Sequence, residues 1–293
     1  MSPVDRTVTT GRVQGVGGRL WWRSVDPHTD ATPVVLLHGG PGMPSSYLGP
    51  LEVLADERRV VRYDQIGCGR SDAPDDPALW TVETFVEDLR RLADDLGLGR
   101  FHLLGHSWGG MLALAHAARH PERVASLVLA SPLVSVDAWC RDADRLVGRL
   151  PDDVQRALRQ PPDTAAYREA EAEFYRRHFC RLDPWPAPLR ASFEALGAVA
   201  YQAMWGPNEF TQTGSLRGAD LTPVVRSLTV PSLWICGSED EATPETVRAF
   251  AAMNAASELV ELPGGTHCVH LEQPGAFVGA LRAFWRGVPP RGG

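Results

Sequence analysis

The sequence predicts an α/β fold: a mostly parallel central sheet with helices on both faces and one inserted helical cap. Three observations predict it. Short apolar runs alternate with longer amphipathic runs over most of the 293 residues, a pattern typical of such a sheet. The alternation stops near residue 135 and resumes after residue 223, so the segment between interrupts one sheet. With 44% hydrophobic and 22% charged residues, the chain can bury a sizeable core.

The first predicted element is antiparallel. Gly11, Gly15, Gly17 and Gly18 supply turn residues before the apolar run at 20–22, and glycine readily adopts the backbone angles of tight turns. We therefore expect hairpin strands at one edge of an otherwise parallel sheet.

Further strands are predicted where short apolar runs are bounded by turn residues. They are 34–38, 60–63, 102–105, 125–130, 233–236 and 259–262. Helices are predicted where apolar residues recur at helical spacing and leave a polar face. They are 84–96, 108–120, 244–253 and 275–285.

The inserted segment is helical and rich in aromatic residues. We expect an α/β core domain formed by residues 1–134 and 224–293, with the helical cap at 135–223. Proline clusters within the cap are expected to end its helices.

Charge and cysteine content limit the possible partners. Lysine plus arginine number 29 and aspartate plus glutamate 36, so the net charge is −7, and neither sign forms a long block. This disfavours nucleic-acid and membrane partners. The five cysteines are scattered without a C-x-x-C pair, and neither a secretory h-region nor an apolar run of about 18 residues is present. We expect a soluble cytoplasmic protein with reduced thiols.

The strongest chemical signal is Gly-His-Ser-Trp-Gly-Gly at 105–110, which follows a predicted strand and precedes a predicted helix. G-x-S-x-G in that context is typical of a nucleophile elbow, where glycines permit a tight strand-to-helix turn. Ser107 is therefore the predicted nucleophile. The alternative is a serine that only caps the helix.

A serine nucleophile needs a general base and an acid that orients it, in the order Ser, Asp or Glu, His for this elbow. The loop after strand 233–236 supplies Asp240, which we take as the acid, with Glu239 and Glu241 as alternatives. The loop after strand 259–262 supplies His267 as the base, and His270 is its alternative.

An oxyanion hole is predicted from the glycine-rich loop at 38–42, His-Gly-Gly-Pro-Gly, which follows the strand at 34–38. The backbone N–H groups of Gly40 and Trp108 are the predicted donors to the oxyanion. Histidine and cysteine spacing does not fit a metal site, and the glycines at 15–18 lack a full dinucleotide fingerprint. We expect neither a metal nor a cofactor.

Together with the elbow, the motifs at 38–42 and at 64–71 (Asp-Gln-Ile-Gly-Cys-Gly-Arg-Ser) resemble the proline iminopeptidases, serine aminopeptidases with the α/β-hydrolase fold. The resemblance spans nearly the whole chain. The segment at 204–211 and the Asp240-Glu241 pair are similar to the tricorn-interacting aminopeptidase branch. That resemblance implies that Glu209 and Glu241 bind the free amino terminus of the substrate.

Physical chemistry supports this implication, because a desolvated ammonium is stable only beside carboxylates. Tyr201 and Trp205 are expected to line the pocket for the first residue. His106 departs from the Gly-Gly-Ser-Trp-Gly elbow of proline-selective members, so preference for proline over another small or apolar residue stays open.

The sequence therefore predicts a serine aminopeptidase that releases an N-terminal residue from short peptides or aminoacyl amides through an acyl-enzyme. The alternative is an esterase, thioesterase, amidase or acyltransferase that acts on a small metabolite with the same three residues. A non-enzymatic ligand receptor on the same scaffold is a third possibility.

Overall fold

The computed structural model describes residues 6–288. Within them, eight strands form one sheet in the order β1-β2-β4-β3-β5-β6-β7-β8. The strands are β1 Thr7–Gln14, β2 Arg19–Asp26, β3 Val34–Leu37, β4 Val60–Tyr63, β5 Phe101–His106, β6 Val124–Ala130, β7 Ser232–Gly237 and β8 Ser257–Leu262. β1 pairs antiparallel with β2, and β2 with β4, whereas the remaining pairs are parallel. Both the predicted hairpin and the predicted α/β class are confirmed.

The helices follow the strands in alternation outside one long insertion. They are α1 Val82–Asp95, α2 Trp108–Arg119, α3 Val136–Val147, α4 Asp152–Ala157, α5 Ala165–His178, α6 Ala187–Glu194, α7 Ala198–Met204, α8 Thr222–Ser227, α9 Pro244–Ala251, α10 Val269–Glu272 and α11 Pro274–Gly287. A 3-10 segment at Ser45–Asp56 contains Pro50 and was not predicted, because proline and glycine there break the helical spacing.

The central strands are buried on both faces. Every residue of β3 and β6 is buried, as parallel strands covered by helices require. The carboxyl ends of β3, β5, β7 and β8 lie at one edge of the sheet. The loops that follow them carry the predicted oxyanion loop, nucleophile, acid and base, so the topology brings four distant stretches of sequence to that edge.

Helices α3 to α8 lie between β6 and β7, and we call them the helical insertion. The predicted cap boundary at residue 223 falls inside α8. Ser192 of α6 accepts a hydrogen bond from the Tyr47 N–H at 3.0 Å and donates one to the Pro44 carbonyl at 2.8 Å. The insertion is thereby bonded to the 3-10 segment beside the oxyanion loop.

Among residues 6–288 no helix is both long enough and apolar enough to cross a bilayer.

Candidate active site

The turn at Ser107 joins β5 to α2. Ser107 has φ 57° and ψ −122°, a backbone conformation that is uncommon for residues other than glycine. A Cβ atom on Gly105 would collide with the Gly109 carbonyl, and one on Gly109 would collide with the Leu37 carbonyl. The glycines therefore allow this turn, which holds Ser107 partly exposed in the wall of a cavity.

These close contacts predict the effect of Gly105→Ala. The added methyl has no room beside Gly109, so we expect the free energy of unfolding to fall by about 1–3 kcal/mol or more. Urea unfolding measures the change. The matched control is Gly279→Ala, at an exposed position of α11 with no atom within 4 Å of the new Cβ, which is expected to raise stability slightly. Equal effects of the two substitutions would contradict a steric role for Gly105.

The predicted acid and base lie together. His267 Nδ1 is 2.8 Å from Asp240 Oδ1, and both residues are buried, at 2% and 1% exposure. The ionised carboxylate only accepts hydrogen bonds, so Nδ1 carries the proton and Nε2 is free to accept one. Asp240 also accepts hydrogen bonds from Ser131 Oγ at 2.5 Å and from the Ala242 N–H at 2.8 Å. The carboxylate is thus held on both oxygens.

The alternative acid and base lie elsewhere. Glu239 is exposed, with its carboxylate 3.9 Å from Arg181. His270 is fully buried, and neither of its ring nitrogens has a hydrogen-bond partner among residues 6–288. The geometry therefore favours Asp240 and His267 over these two neighbours.

The base faces a second carboxylate. Nε2 of His267 lies 3.5 Å from Glu241 Oε1, and within residues 6–288 no hydrogen bond joins Ser107 Oγ to His267. Catalytic hydrogen bonds are often long in a free enzyme and shorten when substrate binds. Ser107, His267 and Glu241 line the same cavity, so a group bound by Glu241 lies next to the base.

The predicted oxyanion donors come from two adjacent loops. Gly40 has φ 110°, and a Cβ there would lie 2.7 Å from the Gly42 and Met43 nitrogens. Trp108 is the first residue of α2, whose N-terminus favours negative charge. Within the described part of the chain, neither the Gly40 nor the Trp108 N–H donates to a protein acceptor. Both groups are therefore available to an oxyanion.

A hydrogen-bond chain that the sequence did not indicate crosses behind the cavity. The Gly39 N–H donates to Tyr47 Oη at 2.8 Å, Tyr47 Oη lies 2.9 Å from His106 Nδ1, and His106 Nε2 lies 3.0 Å from the His267 carbonyl. Burial first, and then the neighbouring histidines, lowers the pKa of His106 well below its usual range. A neutral His106 thus bridges Tyr47 and the loop that carries His267.

Glu209 enters the cavity from the helical insertion. Trp139 Nε1 donates to its Oε1 at 3.2 Å, and Tyr201 Oη donates to its Oε2 at 3.4 Å. Trp205 Nε1 donates to the Glu209 backbone carbonyl at 3.2 Å. Of these partners Trp139 was not predicted, since nothing in sequence links α3 to residue 209.

Glu241 lies in the same cavity and is 5% exposed. Its Oε2 has no hydrogen-bond partner among residues 6–288, and within that range no arginine pairs with Glu209 or Glu241. Burial raises the pKa of Glu209 to about 7. Burial first, and then the charges of Glu209 and Asp240, raises the pKa of Glu241 well above its usual range. The two carboxylates therefore form an acidic site with no arginine partner among the described residues.

The cavity has a volume of about 500 Å³. The helical insertion supplies much of its wall. Seven predicted site residues line it: Gly40, Ser107, Tyr201, Trp205, Glu209, Glu241 and His267. The other two lie directly behind it, because Asp240 is hydrogen-bonded to His267 and Trp108 follows Ser107 in the chain. Among the described residues, no group of three or more histidine, cysteine or acidic side chains is placed to hold a metal ion.

Comparison with known proteins identifies the fold and the family of this chain. Residues 32–274 match the family model of the alpha/beta hydrolase fold. A proline iminopeptidase of Heyndrickxia coagulans is 36% identical over 96% of this chain and 99% of its own. The crystal structure of VinJ is 36% identical, with a TM-score of 0.92 over 96% of this chain and 99% of its own. The crystal structure of the Mycobacterium smegmatis proline iminopeptidase is 34% identical, with a TM-score of 0.89 over 95% and 98%. The chain belongs to the α/β-hydrolase fold family and, within it, to the proline iminopeptidase family.

Proposed function

We propose that this protein is a serine aminopeptidase that releases one N-terminal residue from short peptides or aminoacyl amides. The observation that carries the proposal is the pair of carboxylates, Glu209 and Glu241, that share a cavity with Ser107 and form no ion pair with an arginine among the described residues. Such a pair favours a ligand with a cation next to the reacting carbonyl. The relatives named proline iminopeptidases, at 34% identity or more over nearly the whole chain, support the same activity.

In this mechanism Ser107 Oγ attacks the carbonyl carbon of the first residue while its proton passes to His267 Nε2. The tetrahedral intermediate collapses as the imidazolium returns that proton to the leaving amine, which breaks the amide bond. Water then attacks the acyl-enzyme by the same route and releases the free residue. Asp240 keeps the proton of His267 on Nδ1 and stabilises the imidazolium.

The oxyanion that develops in each step is stabilised by the Gly40 and Trp108 N–H groups. Both lack a protein acceptor within the described residues, so they are free when charge appears. Donors of this kind, fixed in advance, supply several kcal/mol of transition-state stabilisation.

The substrate ammonium lies between Glu209 and Glu241. Because Glu241 Oε1 is 3.5 Å from His267 Nε2, an amine bound there holds the adjacent carbonyl close to Ser107. Desolvation by the cavity strengthens this pairing, and ammonium binding favours the charged form of both acids. The insertion over the site, with Tyr201 and Trp205 in the cavity wall, restricts entry to short or unstructured substrates.

The direct test is a panel of aminoacyl and prolyl arylamides, each offered with a free and with an N-acetylated amine. We expect hydrolysis of free-amine substrates only, since an acetylated amine carries no charge for the two carboxylates. Equal hydrolysis of the acetylated series, or activity on simple esters alone, would favour an esterase or amidase instead. The panel also identifies the preferred first residue, for which proline or another small or apolar residue is proposed.

The carboxylate pKa values predict a bell-shaped pH profile of kcat/KM for free-amine substrates. As pH rises towards 7, Glu209 ionises from its raised pKa of about 7 and can pair with the substrate ammonium, so activity rises. Above about pH 8 the substrate amine loses its proton and activity falls. A simple ester without an amine is the control and lacks the alkaline fall. Activity on the amine that keeps rising beyond about pH 9 would contradict the ammonium site.

The site of action proposed for this enzyme is the cytoplasm. The support is the cysteine content, because all five cysteines are free and four of them are buried, as is usual for reducing compartments.

A further inference from the structure

Gln65 lies between the two loops that carry the predicted oxyanion donors. Its side-chain Oε1 accepts a hydrogen bond from Trp108 Nε1 at 2.9 Å, and its Nε2 donates to the His38 carbonyl at 2.9 Å. We propose that Gln65 is a positioning residue for the oxyanion hole, holding the Trp108 and Gly40 N–H groups at the separation that the oxyanion requires. This rests on the proposed acyl transfer at Ser107.

The orientation of the Gln65 amide is fixed by its partners. An indole Nε1–H only donates, so the amide oxygen faces Trp108 and the amide nitrogen faces the carbonyl. The backbone N–H of Gln65 donates a third bond, to His38 Nε2 at 2.9 Å. Gln65 is 1% exposed, so water does not compete for these bonds.

These bonds also fix the neighbouring loop. Because His38 Nε2 accepts from Gln65, its proton is on Nδ1, which donates to the Gly39 carbonyl at 3.0 Å. Burial lowers the pKa of His38 to about 4, so the ring stays neutral and keeps this pattern at working pH. This bond therefore holds Gly39, the residue that directly precedes the predicted donor Gly40.

The sheet does not supply this constraint by itself. The pairing of β3 with β5 ends at Leu37 and Gly105, and both donors lie beyond that point. Gln65 bridges the two loops where the ladder has ended. Its loss would leave the fold and the ammonium site in place but allow the two N–H groups to separate.

An aldehyde and its matching alcohol isolate this role. Ser107 Oγ adds to an aldehyde carbon and forms a hemiacetal, whose oxygen occupies the oxyanion hole while the serine proton passes to His267. The alcohol of the same first residue binds through its amine and forms no adduct. The ratio of the two inhibition constants therefore measures the oxyanion hole separately from amine binding.

Two variants change Gln65 in different ways. Gln65→Glu keeps the size and an acceptor for the indole but sets a second acceptor against the His38 carbonyl, and Gln65→Met removes both bonds. The control is Ser126→Ala, which removes a buried hydrogen bond between Ser126 Oγ and His102 Nδ1, 2.7 Å apart. This pair lies far from the two loops that carry the oxyanion donors.

In both Gln65 variants we expect the preference for the aldehyde over the alcohol, measured by the ratio of their inhibition constants, to fall by about 10- to 100-fold. This is less than the ~10²–10³-fold cost of deleting an oxyanion donor. Alcohol binding and KM stay unchanged, and kcat falls in parallel. Ser126→Ala keeps the wild-type ratio. Both inhibitors bind only folded protein, so a variant that only loses stability keeps the wild-type ratio of the two inhibition constants. That result would overturn the proposal. Equal weakening of both inhibitors would overturn it as well.

Failure of the proposed function gives a different result. A wild type that cleaves simple esters but no aminoacyl arylamide would overturn the aminopeptidase proposal. The role of Gln65 would then be decided in the same way, with the aldehyde and alcohol of the ester's acyl group.

Discussion

Ser107→Ala is expected to lower kcat/KM for free-amine arylamides by about 10⁴- to 10⁶-fold, leaving only the rate supplied by substrate binding and the oxyanion hole. The substitution removes Oγ, the atom that forms the bond to substrate. It keeps Cβ and the strained turn, with φ 57°, so the elbow is preserved. Steady-state kinetics with a sensitive arylamide measures the loss.

Two controls accompany this substitution. The thermal unfolding midpoint of Ser107→Ala should match that of the wild type, because the side chain makes no hydrogen bond within residues 6–288. Ser126→Ala, at a buried serine far from the cavity, should keep wild-type activity. Retention of a tenth or so of wild-type activity in pure Ser107→Ala would show that another residue is the nucleophile.

Glu209→Gln and Glu241→Gln are each expected to reduce kcat/KM for free-amine substrates by roughly 30-fold, equivalent to about 2 kcal/mol for a buried ammonium that loses one charged partner. Glutamine preserves size, and at position 209 it still accepts the hydrogen bond from Trp139. The loss is therefore one of charge rather than packing. Because the proposed ammonium site uses both acids, the double variant is not expected to show a simply additive loss.

The matched control is Glu239→Gln. Glu239 precedes Asp240 in the same loop but is exposed, so its neutralisation should change kcat/KM little. An equal loss in Glu239→Gln would indicate a general effect of the acidic loop, and unchanged activity in Glu209→Gln would remove Glu209 from the ammonium site.

The elbow was predictable because its constraints are local. Gly105 and Gly109 are required by contacts within a few residues of Ser107 or with the adjacent strand, and the motif appears directly in sequence. Asp240 and His267 were predictable for a related reason: each follows a strand whose carboxyl end meets the others at one edge. The chain order of the strands indicated the two loops, whereas the choice of residue within each loop depended on the contact between Asp240 and His267.

Contacts between distant segments were not predictable. Nothing in sequence pairs Trp139 with Glu209, or links Tyr47 through His106 to the base loop. Spacing alone did not separate His267 from His270, which are three residues apart. The distinction is the tertiary contact of His267 with Asp240.

The environment of the Glu209 and Glu241 carboxylates could not be predicted from the sequence either. A glutamate is usually exposed, and only the fold buries Glu241 and sets it beside His267. The resemblance indicated the two residues, whereas the structure shows that both line the cavity with Ser107, which is the basis of the proposed ammonium site.

The central claim, that a free amine is recognised next to Ser107, is tested most directly by one ratio. It compares kcat/KM for a free-amine arylamide with kcat/KM for its N-acetylated form, in the wild type and in Glu209→Ala. We predict strong preference for the free amine in the wild type and a preference smaller by roughly 30-fold in the variant. Equal reactivity of the two substrates in the wild type, or an unchanged ratio in Glu209→Ala, would contradict the account.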